Sequence, residues 1–223
     1  MASFKPKYIT FDVQGTLIYF EMANAANKLY ADRVPAGKMD EFISVFSAYR
    51  LDEVLDDWKP YFNVVDNAIR RTCKRCGVAY REGDGKIIYD QVPNWGPHPD
   101  VTAGLAKVAK EFPLVGLTNS MNVQISHNIA RIGVPFHAVY TAEQAQAYKP
   151  HMKAFEYMFD QLGCGPQDIL HVSSSFRYDL MTAHDMGIKN KVFVARGHEP
   201  SGAPYYGYTE IPDIGGLAAV VGL

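Results

Sequence analysis

In the stretch ITFDVQGTLIYF, residues 9–20, an acid interrupts an apolar run just before a Gly-Thr pair. An unpaired carboxylate in a buried strand loses its hydration, so Asp12 is a candidate for chemistry rather than packing. Gln14, Gly15 and Thr16 follow it. Other polar groups follow other apolar runs: Thr118, Asn119 and Ser120 after one, and Ser173, Ser174 and Ser175 after another, with Asp179 further on. Lys149 precedes a proline in AYKP. Taken singly, the Ser, Thr, Asp and Asn residues read as well as helix caps, and a lone lysine reads as a surface residue. Four such features in this order, each following an apolar run or a proline-marked turn, are much harder to explain as caps.

These groups need elements that bring them to one place. Tyr8–Val13, Pro113–Leu117, Ile169–Val172 and Val192–Ala195 are short, continuous apolar runs, the pattern of parallel strands covered on both faces. Met152, Phe155, Met158, Phe159 and Leu162 recur at helical spacing, as do Leu180, Ala183 and Met186. Strand–helix alternation of this kind predicts an α/β fold with a doubly wound parallel sheet. In such sheets ligands bind at the carboxyl ends of the strands, where every polar group named above would converge.

The stretch from Val13 to Pro113 breaks the rhythm. EFISVFSAYRLDEVLDDW and YFNVVDNAIRRTCKRCGV read as amphipathic helices, and the proline-rich VPNWGPHPD ends them. The expected organisation is a core domain of residues 1–20 and 92–223 and a helical domain of residues 21–91, with 92–100 as its return linker. An insertion after the first strand stands over the ligand edge as a cap, excluding water and contributing contacts.

Bulk properties exclude little and favour less. The chain has 223 residues, 48% hydrophobic and 21% charged, with formal net charge -2. No basic surface advertises nucleic acid, no run approaches the length of a membrane span, and the N-terminus lacks a signal-peptide core. We read the chain as cytoplasmic, without nucleic-acid or membrane partners. Three cysteines are too few for a disulfide framework. Cys73-Lys74-Arg75-Cys76 lacks the further ligands a zinc site needs. Its Cys76 extends the helical stripe Tyr61, Val65, Ala68, Ile69, Thr72 and is expected to be buried. Among the aromatic residues nearby, Phe62 is expected to pack.

FDVQGT, LTN, YKP and HVSSSFRYD, in that order, resemble the four motifs of the haloacid dehalogenase superfamily. The resemblance covers residues 8–20 and 97–200, and implies a Rossmann-like core with an inserted helical cap. It points to Asp12 as nucleophile, Thr118 with Asn119 as the anion-binding pair, and Lys149 as the partner of the nucleophile. Phosphatases of the superfamily carry a second acid two residues after the nucleophile and a Gly-Asp pair before the last Asp. Here Gln14 and Ser173-Ser174 stand in those places. Gln14 cannot donate an acidic proton, and a hard divalent cation wants more carboxylates than remain. No metal or other cofactor is expected.

The pattern resembles the 2-haloacid dehalogenase branch, which implies a small carboxylate substrate with a displaceable substituent. In that reading Asp12 forms an ester that water then hydrolyses. Thr118 and Asn119 hold the substrate carboxylate, Ser174 and Asp179 position Lys149 and the water, and Thr16 fixes the loop after the nucleophile. Arg50 is the cap candidate for the leaving group, ahead of Arg33. A homodimer accords with the resemblance. Three substitutions depart from the branch: Gln14 and Phe155 each replace a Tyr, and Phe176 replaces an Asn. Because Gln14 both donates and accepts hydrogen bonds, opening of azetidine-2-carboxylate by the same ester route stays as an alternative. So do a magnesium-dependent phosphatase and a non-catalytic anion-binding protein.

Overall fold

In the computed structural model, which describes residues 4–223, the first apolar run forms β1 (Tyr8–Phe11), ending one residue before Asp12. Four helices follow: α1 (Met22–Tyr30), α2 (Met39–Leu55), α3 (Tyr61–Cys76) and α4 (Asp84–Tyr89). Then come α5 (Val101–Val108), β2 (Leu114–Thr118), α6 (Asn122–Ile132), β3 (Ala138–Thr141), α7 (Ala142–Ala145) and α8 (Met152–Leu162). The chain closes with β4 (Ile169–Ser173), α9 (Met181–Asp185), β5 (Lys191–Val194), β6 (Thr209–Ile211) and α10 (Leu217–Val220).

All six strands are parallel, in the order β3-β2-β1-β4-β5-β6. This is the α/β sheet the apolar runs predict. From β1 the chain builds outward to β2 and β3 on one side and, after returning, to β4, β5 and β6 on the other. The reversal lies between β1 and β4, and such switch points open a crevice at the carboxyl ends of the strands. Asp12 emerges there. β3 and β6 escape the sequence reading because they are edge strands. Three of the four residues of β3 are only half-buried, and two of the three residues of β6 are exposed, so neither shows the continuous apolar run of a covered strand.

The chain divides into two compact units. One is the stretch up to Tyr19 together with Gly96–Leu223; the other is Phe20–Trp95. In the first, Val115 and Leu117 of β2 and Ile169 of β4 pack against Phe155, Met158 and Phe159 of α8. The expected helical stripe of α8 is thus the covered face. Fully burying a side chain such as Phe155 contributes roughly 2–3 kcal/mol. α8 starts after Pro150 and ends at Gly163, whose φ of 61° suits the left-handed helix terminus.

In the second unit, Pro60 precedes α3 and Gly77 ends it in the left-handed conformation. Cys73, not Cys76, completes the buried stripe of α3 and donates its thiol to Tyr30 Oη at 3.3 Å. Cys76 is half-buried because the helix ends there. Phe62 is exposed, touching Tyr89 edge-on at 5.7 Å, because its neighbour Tyr61 takes the inward face. Arg33 is committed to structure. It donates to both oxygens of buried Asp84 at 2.7 and 3.2 Å and lies 4.0 Å from the Tyr30 ring. Among the described residues, no helix is long and apolar enough to cross a membrane.

Candidate active site

The carboxyl ends of β1 and β4 bring three charged side chains into contact. Lys149, on the loop between α7 and α8, donates from Nζ to Asp12 Oδ1 at 2.8 Å and to Asp179 Oδ1 at 2.7 Å. The ammonium is 1% exposed and Asp179 fully buried. Burial raises the Asp12 pKa, the charge of Asp179 adds to that, and Lys149 and Thr16 only partly oppose it. Burial also works to raise Asp179, but the Lys149 charge and the His171 hydrogen bond outweigh it and hold this carboxyl below the ordinary range. For Lys149 the two acids outweigh burial and raise its pKa. The lysine is therefore a fixed cation shared by two carboxylates, Asp179 facing inward and Asp12 at the strand tip.

Thr16 donates to Asp12 Oδ2 at 2.6 Å, so both oxygens of Asp12 are held. Gly15, with φ of 91°, makes the turn that brings Thr16 back over Asp12. A side chain at position 15 would meet His198 Nε2 at 3.5 Å. Arg196 fastens the same loop from outside. It donates to Thr16 O at 3.0 Å and forks onto both oxygens of Asp100 at 2.8 Å.

The other expected site residues are placed as follows. Ser174 does not reach Lys149. Its Oγ lies 2.9 Å from Thr16 Oγ1 and 3.0 Å from His198 Nε2, so it steadies the loop after Asp12 instead. Asn119 also departs from expectation. Its amide accepts from Lys149 N at 2.7 Å and donates to Lys149 O at 2.9 Å, clamping the lysine backbone rather than facing an anion. Thr118 donates its hydroxyl to Gln14 Oε1. That bond orients the Gln14 carboxamide, whose N–H2 groups find no partner among the described residues.

Arg50 belongs to the helical unit. There its guanidinium lies between the rings of Phe20 and Phe46, at 4.9 and 5.0 Å. It is buried, its Nε has no hydrogen-bond partner, and it forms no ion pair among the described residues. A buried cation without an anion is unusual.

Sequence reasoning missed four residues. His171 on β4 and Thr10 on β1 join the buried network, with Nε2 3.1 Å from Asp179 Oδ1 and Nδ1 2.8 Å from Thr10 Oγ1. A histidine inside the apolar run ILHVS was the available signal. His198 and Glu199 come from the loop after β5, which shows none. Glu199 accepts from Ser175 Oγ at 2.6 Å and Phe176 N at 2.7 Å, capping the single π-helical turn Phe176–Leu180 that carries Asp179. Such turns concentrate at functional sites.

Magnesium, used by phosphatases of the resembled superfamily, fits this donor set poorly. The Lys149 ammonium already occupies the gap between Asp12 and Asp179, and Ser173-Ser174 stand where phosphatases carry the further acid. Among the described residues no cluster of three or more His, Cys, Asp or Glu could hold a metal ion.

Comparison with known proteins bears on this constellation. Residues 9–193 match the family model for haloacid dehalogenase-like hydrolases. The chain is 22% identical over 180 residues to haloacetate dehalogenase H-2 of Moraxella sp. (strain B), covering 77% of this chain and 78% of that one. It is 24% identical over 191 residues to the (S)-2-haloacid dehalogenase of Xanthobacter autotrophicus, covering 81% and 72%. It is also 25% identical over 143 residues to a glyceraldehyde 3-phosphate phosphatase of Methanothermobacter thermautotrophicus, covering 62% of each. Among solved structures, a dehalogenase with an intermediate complex superposes with a TM-score of 0.82 at 15% identity, over the whole of both chains. The L-2-haloacid dehalogenase of X. autotrophicus with chloropropionic acid covalently bound gives 0.77 at 19% identity, covering 97% of this chain and 98% of that one.

Proposed function

The chain belongs to the haloacid dehalogenase-like hydrolases, and from that premise we propose that it displaces a substituent from a small 2-substituted carboxylic acid through an ester on Asp12. The observation that carries this reading is the Asp12–Lys149–Asp179 contact with Gln14 where a general acid would stand. A carboxylate held beside a fixed cation can attack carbon. Without an acid to protonate a departing alkoxide, the leaving group must be stable as it departs.

In the first step an Asp12 oxygen bonds to the carbon bearing the halogen, and the carbon–halogen bond breaks with its electron pair leaving as halide. In the second, water adds to Asp12 Cγ and gives a proton to Asp179. The ester bond then breaks, the alkoxide takes that proton, and the hydroxy acid leaves. Asp12 remains as a carboxylic acid that loses its proton to solvent. Lys149 orients Asp12 in the first step and balances the charge of Asp179 in the second.

The uncommitted N–H2 of Gln14 favours a second reading, opening of azetidine-2-carboxylate. There the ring nitrogen enters protonated, and the strained C–N bond breaks with its electron pair going to that nitrogen. It leaves as the neutral amine of the opened product, with Gln14 donating to another polar group of the substrate.

We propose Arg50 for the leaving group as it departs as an anion, because its guanidinium is buried without an anion of its own. A charge-assisted hydrogen bond contributes about 1.5–3 kcal/mol. Arg50→Ala should therefore raise KM, or lower kcat/KM, by roughly 10–100-fold with the melting temperature held within a few degrees. Unchanged steady-state kinetics in this variant would remove Arg50 from the site.

The deciding experiment is a single turnover in heavy-oxygen water, with enzyme in excess over 2-chloropropionate and EDTA present. The label should appear in the peptide containing Asp12, with unlabelled product. Label appearing first in product would mean direct attack by water. Fluoroacetate and azetidine-2-carboxylate run in parallel separate the leaving groups. Hydrolysis of p-nitrophenyl phosphate that EDTA abolishes would establish the phosphatase instead.

A further inference from the structure

Among the described residues, His171 is the one fully buried titratable group in contact with the charged cluster that the two steps above do not use. It sits in the middle of β4, paired in register with Thr10 of β1. Its surroundings fix it closely. Thr10 Oγ1 lies 2.8 Å from Nδ1, Asp179 Oδ1 lies 3.1 Å from Nε2, and the Phe155 ring packs against it at 5.2 Å in an edge-on arrangement. An ionised Asp179 can only accept, so the proton on that side belongs to Nε2. Thr10 Oγ1 is the hydrogen-bond partner of Nδ1. The alternative acceptor for the Thr10 hydroxyl, Leu170 O, is more distant at 3.4 Å.

This arrangement has a consequence for Asp179. Both its donors, Lys149 Nζ and His171 Nε2, bond to Oδ1, and the buried Oδ2 has no partner among the described residues. The carboxylate is therefore pinned through one oxygen with the other left over. We propose that His171 is a positioning residue for the hydrolytic step: its Nε2–H holds Asp179 so that Oδ2 is free to take the proton of the attacking water. The role rests on the ester route stated above.

The two steps depend on different groups. Bond formation to carbon uses Asp12 and Lys149. Once Asp12 is esterified, Asp179 is the last carboxylate of the cluster, and its partners are Lys149 and His171. Without the imidazole N–H, a buried Asp179 keeps a single donor. It is then free to turn both oxygens onto Lys149 or to retain a proton, and either change blunts it as a base. Ester formation is spared while ester breakdown slows. The ring's packing against Phe155 is a separate matter, and a phenylalanine preserves it.

The test compares the parent with His171→Phe, His171→Gln and Thr10→Val, mixing each full chain with excess 2-chloropropionate, quenching with acid, and measuring intact mass and released halide. For His171→Phe the halide burst should match that of the parent. The mass of the alkylated enzyme should persist, and ester breakdown should slow at least tenfold. His171→Gln, whose amide nitrogen reaches the place of Nε2, should recover most of that rate. Thr10→Val, which removes the hydroxyl that fixes the ring, should fall between and serves if His171→Phe does not fold. Equal slowing of both steps, no accumulation of ester in any variant, or no rescue by Gln would overturn the role. If the parent itself places heavy-oxygen label directly in product, the ester route fails first, and this role with it.

Discussion

Replacing Asp12 by Asn is expected to abolish turnover and at the same time to make the protein more stable. The first half follows from chemistry. An amide is no nucleophile toward a saturated carbon, and loss of a covalent nucleophile costs at least ~10⁴-fold in kcat. The second half follows from charge. Two buried carboxylates share one ammonium, and burial raises the Asp12 pKa, so ionising Asp12 disfavours folding. For a carboxyl with a raised folded pKa, that cost is absent below the unfolded value of about 4 and complete above the folded one. The Asn variant removes it and leaves Lys149 and Asp179 as a balanced pair. The hydrogen bonds can adapt: the new amide donates to Thr16 Oγ1, and Thr16 redirects its proton to Ser174 Oγ, 2.9 Å away. A gain of about 1 kcal/mol would raise the melting temperature by roughly 2–4 °C for a chain of this size. The gain should appear at pH 7–8 and vanish near pH 4. Thermal scans at both pH values beside a halide-release assay check the pair of claims. Activity near the parent rate would end the nucleophile assignment, and a lower melting temperature at pH 8 would show that Asp12 is not the strained member of the cluster.

Why such a cluster was visible in the sequence, and its surroundings were not, has a physical reason. Asp12, Lys149 and Asp179 stand out because charged residues beside covered strands are costly unless paired. Their convergence then follows from the topology of a parallel sheet. The covered strands β1, β2, β4 and β5 announce themselves by continuous apolar runs, whereas β3 and β6 do not because edge strands are half-solvated. Hydrogen-bond partners are harder to read. Asn119 looked like an anion donor because it adjoins Thr118, yet backbone groups of Lys149 lie nearer and satisfy it. Ser174 sits beside Thr16 rather than Lys149 because its backbone N–H donates to Thr16 Oγ1 at 2.9 Å and its hydroxyl shares a second bond with the same oxygen. His198 and Glu199 reach the site from a loop with no periodicity, so nothing in the spacing of residues marks them. His171 was the legible omission: a polar residue in a run that is otherwise apolar needs a partner, and β1 offers Thr10 directly opposite.

Lys149→Met is expected to cost both activity and stability, with the two losses parting company as pH falls. The substitution keeps the length of the side chain but leaves Asp12 and Asp179 buried without their shared cation. Removing one partner of a buried ion pair costs about 3–5 kcal/mol, because the orphaned charge must be dehydrated alone. The parent gains the opposite. The raised pKa of Lys149 means its contribution is complete below the unfolded lysine value of about 10.4 and is lost only as pH climbs through the folded value. In the variant both carboxyls lose what lowered them, so the destabilisation should be largest at pH 7–8 and shrink toward pH 4 as protons replace the missing ammonium. Activity should not return at low pH, since protonated Asp12 is not a nucleophile; a fall of ~10³-fold or more is expected throughout. The double variant Asp12→Asn/Lys149→Met carries one buried charge in place of two and should melt above Lys149→Met alone at neutral pH. Contacting groups couple rather than add, and that recovery measures the coupling. A Lys149→Met protein with the parent's melting temperature at pH 8 would mean the two carboxylates are solvated, and the buried shared cation on which the chemistry depends would be lost.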